Sequence, residues 1–66
     1  MIRWVLEREE EPGLAVDEGA ASNVGDAVFA ARDAWRTWRG VAKNGLRIHW
    51  KIRIHDGRRE LAVMGA

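Results

Sequence analysis

The chain has no cysteine and no tyrosine, a single proline, and only Ser22 and Thr37 as side-chain hydroxyls. Without thiols, disulfides, thiolate chemistry and most structural zinc sites are excluded, so stability has to come from packing or oligomerisation. Ser22 is better explained as a helix cap and Thr37 lies on a helix, which leaves no nucleophile paired with a base. No apolar run approaches the roughly 18 residues that span a bilayer. Arg3, Glu7 and Arg8 interrupt the stretch that a signal peptide would keep apolar. A cytoplasmic protein making no use of membrane is the expectation. Gly19 and Gly25 are too sparse for a phosphate-cradling loop ahead of the helix.

What is present is small and unevenly charged. Sixty-six residues bound one domain, 1–66, near the lower limit at which a hydrophobic core suffices. Four tryptophans and Phe29 are its large pieces, and arginine outnumbers lysine nine to two, a bias typical of high-GC genomes. The net charge is +1, yet residues 1–26 carry two cations against seven carboxylates and residues 27–66 carry nine against three. Such a split points to a basic binding surface with an acidic counterweight, or to halves that attract one another within a monomer or across a homodimer.

The most regular feature runs from Leu46 to His55. Leu46, Ile48, Trp50, Ile52 and Ile54 alternate with Arg47, His49, Lys51, Arg53 and His55. Successive strand side chains point to opposite faces, so this predicts one strand with a dry face and a cationic face. Ile2, Trp4 and Leu6 alternate in the same way with Arg3, Val5 and Glu7, predicting a first strand. Glu9 to Gly13 breaks it, with Pro12-Gly13 favouring a type II turn. Leu14 to Val16 read as a short second strand ending near Asp17 to Gly19, with an irregular segment as the alternative.

Ser22 or Asn23 caps the helix that follows; with Asn23 at the cap, Asp26 falls at the third helical position as in a capping box. Val24, Ala27, Val28, Ala31, Ala34, Trp35 and Trp38 follow helical spacing, and Gly40 is the expected stop. After a loop at Lys43 to Gly45 and the long strand, Asp56-Gly57 predicts a type I′ hairpin. Its register would set His55 opposite Arg58, Arg53 opposite Glu60, Ile52 opposite Leu61 and Trp50 opposite Val63. The fold class is therefore α+β, a three- to four-stranded antiparallel sheet of order 2-1-3-4 with one helix on one face (β-(β)-α-β-β). Leu61 and Val63 are expected to face the helix, and Arg3, Glu7, Arg47, His49, Lys51, Arg53 and Glu60 the open side.

The Trp4-bearing strand, short second strand, alanine-rich helix and closing hairpin resemble small uncharacterised proteins of actinobacteria and their phages. That likeness is architectural; it implies an actinobacterial or phage origin and carries no catalytic residue with it.

Three chemistries can be weighed on the residues. His49 and His55 share a face but stand about 20 Å apart on a strand, too far to hold one ion, so no metal and no cofactor is expected. Arg47, His49, Lys51 and Arg53 with Arg58 and Arg59 could follow a phosphate backbone, the basis of a nucleic-acid-binding alternative. The aromatic stack that such sheets use is missing, because Trp50 points inward. The Trp35 to Arg39 segment has the composition of an interface anchor, and Phe29 lies off the apolar stripe where a monomer leaves it wet. The favoured reading is a non-enzymatic adaptor or accessory protein acting through protein–protein contact at Phe29, Arg36, Trp38 and Arg39, as a homodimer or with another protein.

Overall fold

The computed structural model describes residues 1–41 and 49–65. Five elements follow in the order β1 (Ile2–Arg8), β2 (Ala15–Ala21), α1 (Val24–Val41), β3 (Trp50–Asp56) and β4 (Arg59–Gly65). The strands form one antiparallel sheet of order β2-β1-β3-β4 with α1 packed on one face, an α+β architecture. The first part of the expected long strand, with Arg47 and Ile48, and the Lys43 to Gly45 loop lie outside the described residues. His49 precedes β3, and its carbonyl accepts the Glu9 N–H at 2.8 Å, which extends the β1–β3 ladder.

The periodicities set the core. Trp4, Leu6, Trp50, Ile52 and Ile54 point from β1 and β3 toward α1, where Ala27 and Ala31 meet them with no exposed surface. Small residues at the centre of α1 let the helix sit close to the sheet, and the larger Val28, Trp35 and Trp38 close its flanks. Asn23 is the cap: its Oδ1 accepts the Asp26 N–H at 2.9 Å, and its Nδ2 donates to Asp26 Oδ2 at 3.2 Å. The helix continues through Gly40 to Val41 instead of stopping at the glycine. A glycine costs only about 1 kcal/mol in a helix, too little to stop one unaided.

Two expectations about strands are corrected. β2 begins at Ala15 and runs past the expected end near Asp17 to Gly19, because Gly19 to Ala21 stay paired with Trp4 to Ile2. The side chains there are small, and the Trp4 indole occupies the space above Gly19: a Cβ built on Gly19 would stand 2.7 Å from three of its ring atoms.

The hairpin register is the second. Its loop is Gly57-Arg58, with Asp56 opposite Arg59, and a bulge between Ile54 and His55 brings Ile54 opposite Ala62 and Ile52 opposite Met64. Gly57 has φ +59° and no described non-glycine residue has a positive φ. A type I′ turn at Asp56-Gly57 would need a left-handed aspartate; moving the loop on by one residue leaves only glycine there. Ala62 and Met64 therefore pack on the core, and Leu61 and Val63 are 39% and 45% exposed on the open face, contrary to expectation.

Candidate interaction surface

The helix carries the first candidate surface. Phe29 and Arg36 are two turns apart and share the side of α1 that faces away from the sheet, with Arg32 and Asp33 between them. All four are exposed, and Phe29 has 75% of its surface in solvent. Trp38 lies on the other side of the helix. It is half-buried, and its indole N–H donates to Asp17 Oδ2 on β2 at 3.1 Å, pinning helix to sheet. Arg39 is exposed on a flank, its guanidinium 4.6 Å from the centroid of the Trp35 ring. The structure thus brings Phe29 and Arg36 together, sets Arg39 beside Trp35, and turns Trp38 toward the sheet.

Trp35 opens the interface-anchor segment without being one of the four expected contact residues, although Arg39 four positions on is the spacing at which helical side chains meet. Where this flank approaches the end of β4, Arg32, Trp35, Arg36 and Gly65 line a shallow cleft.

The open sheet face is the second surface. Arg53 sits at its centre, with Nε 2.6 Å from Glu7 Oε1 and Nη1 2.8 Å from Glu60 Oε1. Glu7 was expected to be solvated, but it is 2% exposed, and its other carboxylate oxygen accepts the Gly13 N–H at 3.3 Å. The β1–β2 turn is thereby tied to the sheet. Burial alone would raise the Glu7 pKa; the Arg53 hydrogen bond, the Gly13 N–H and the charges of Arg53 and Lys51 outweigh it and hold the carboxyl below its usual value. Hydrogen bonding to Glu7, then to Glu60, raises Arg53 in turn. Only the position of Glu7 on β1, diagonal to Arg53, signalled this pair in advance.

The described residues of the expected cationic set do not join into one tract. Arg53 is matched by two carboxylates. Lys51 is half-buried near one end of β3, and exposed Arg58 and Arg59 flank the hairpin turn at the other. Exposed His49 precedes β3, roughly 25 Å from that turn along the strand. Arg47 lies outside the described residues. His55 places Nδ1 3.2 Å from the Gly57 carbonyl oxygen. Trp4 and Trp50 face the helix, so among the described residues no aromatic ring is offered on this face for base stacking.

Among the described residues no three His, Asp or Glu side chains gather as a metal site would require. No described helix is long and apolar enough to cross a membrane. Comparison with protein-family models, curated proteins and solved structures finds no match to the chain.

Proposed function

We propose that this chain is a small non-enzymatic adaptor or accessory protein that works through protein–protein contact. The observation that carries the reading is Phe29, an aromatic ring held 75% in solvent on an ordered helix and bordered by Arg32 and Arg36. Aromatic and arginine side chains are the residues that most often anchor protein interfaces. A rigid helix presents them at little further entropic cost on binding. Arg39, fixed over Trp35, extends the surface along the flank, and Trp38 supports it from beneath by holding α1 to β2.

The absence of cysteine supplies a clean test. A Phe29→Cys variant carries a photo-crosslinker at one known spot, and a Glu18→Cys variant carries it on β2. Discrete protein adducts from position 29 that are missing from position 18 are expected. Identical adducts from both positions, or none from position 29, would overturn the proposal.

A further inference from the structure

We infer that the free edge of β4 pairs with β4 of a second copy, antiparallel about a twofold axis at Ala62, to make a continuous eight-stranded sheet. This deepens the protein-contact reading by naming a partner, and it uses a surface separate from Phe29. β4 is an outer strand of the sheet, and among the described residues nothing pairs with its far side. Helix α1 packs on β1, β2 and β3 and nears β4 only at its end, where Gly65 lines the cleft with Arg32, Trp35 and Arg36. An unpaired edge is a template for another strand unless charge, proline or irregularity blunts it. β4 opens with Arg59 and Glu60 and is bulged at Leu61, but from Leu61 to Gly65 it carries neither charge nor proline.

The other outer strand is blunted at its middle, not at one end. β2 carries Asp17 and Glu18 and is bulged against β1 beside Glu7. Pairing β4 with β2 of another copy would also be head-to-tail and open-ended, whereas β4 on β4 closes.

The register follows from side-chain faces. Centring the axis on Ala62 sets Leu61 opposite Val63 of the second copy, twice, and Ala62 opposite Ala62. Leu61 and Val63 are the exposed apolar side chains of the strand, and this pairing joins them into one patch on the open face. Ala62 and Met64 stay on the core side. The contact is one strand long, about 23 Å at the usual rise. It therefore belongs with small, reversible interfaces, so the dimer is weak.

Sedimentation of the full chain from micromolar to millimolar concentration tests this, with amide hydrogen exchange reporting on β4. A reversible monomer–dimer equilibrium is expected, with β4 amides protected only in the dimer. Val63→Glu puts a carboxylate beside Arg53 within the same chain, which the fold tolerates, but opposite Leu61 of the second copy. It should weaken the dimer roughly tenfold or more. Leu61→Lys should do the same. Mixing the two variants places introduced lysine against introduced glutamate and should restore association between unlike chains only.

A wild-type chain that stays monomeric, whether or not it accepts an extended peptide on β4, overturns the inference. So does a dimer that survives Val63→Glu. Loss of the dimer in Phe29→Ala alone would overturn it too, while leaving the helix-surface reading intact. Position-specific adducts from residue 29 on a monomeric chain would likewise separate the two.

Discussion

Replacing Gly19 with alanine should loosen the molecule at its most tightly determined contact. Gly19 pairs with Trp4 across β1 and β2, and the added Cβ would meet Cε2, Cζ2 and Nε1 of the indole at 2.7 Å. Attractive contacts between heavy atoms begin near 3.5 Å, so ring or strand must retreat by close to ~1 Å. The ring has little room to do so: it is 7% exposed and belongs to the same cluster as Leu6, Ala27 and Ala31. Overpacking of this kind costs about 1–3 kcal/mol. The stiffer unfolded chain offsets about 0.4–1 kcal/mol of that. A net loss of about 1–2 kcal/mol remains, against a total of roughly 3–10 for a chain this short. It should lower the melting temperature by about 5–15 °C. Circular dichroism and tryptophan fluorescence would follow the unfolding. Gly65→Ala is the control, since nothing lies within 4 Å of its Cβ position and its φ is not positive; its change should stay within about 0.5 kcal/mol. Adding Trp4→Phe should cost less in the Gly19→Ala background than in the native one, because the smaller ring relieves the clash. An unchanged or higher melting temperature for Gly19→Ala would refute the reasoning.

Two further outcomes follow from the open face. The Glu7 pKa is lowered in the folded chain, so its ionisation contributes stability above the unfolded carboxylate value, and that contribution is lost as pH falls through the folded pKa. The stability gap between the native chain and Glu7→Gln, from denaturant titrations at neutral and acid pH, should therefore narrow in acid; a gap independent of pH contradicts the pairing. The competing nucleic-acid reading predicts retention that falls linearly in log K against log[salt], about −0.9 per phosphate neutralised on duplex DNA. With Arg53 held by two carboxylates, no retention is expected even near ~50 mM salt. Salt-dependent binding lost on replacing Arg47, Lys51 and Arg53 with glutamine would establish that reading instead.

Much of the architecture is legible in the residues because each periodicity admits one solution. Trp50, Ile52 and Ile54 alternate with charged or imidazole neighbours, and all three are buried. Ala27 and Ala31 hold the centre of the helix stripe, and of the two candidate caps, Ser22 and Asn23, it is Asn23 that caps it. Strand order 2-1-3-4 keeps every neighbour antiparallel and lets the helix cross over β1. The extent of β2 was harder to read because it depends on a partner. Gly19, Ala20 and Ala21 have weak intrinsic preference for a strand, and they pair because Trp4 needs a position without a side chain beneath its ring. Burial of Glu7 was equally hidden, since it takes Gly13 from a turn and Arg53 from a distant strand to surround one carboxylate.

The hairpin shows why agreement among pairings is a weak check. Two registers set an apolar residue of β4 against Ile52, Leu61 in one and Met64 in the other, because Leu61 to Met64 are apolar without interruption. The Arg53–Glu60 pair fits both as well: it forms at 2.8 Å although Val63 is the residue opposite Arg53. Long side chains reach diagonal neighbours, so an ion pair does not report a register. Backbone conformation decides between them. Placing the loop at Gly57-Arg58 moves the pairing by two residues, which preserves the faces, and the bulge adds a third, which exchanges them. Leu61 and Val63 thereby leave the core face, and the small Ala62 with flexible Met64 takes their place. The same exchange that removes two branched side chains from the interior puts them on the one strand the helix nears only at its end. Contacts available to β4 are therefore a consequence of the bulge at Leu61, acting on the loop that the left-handed Gly57 sets.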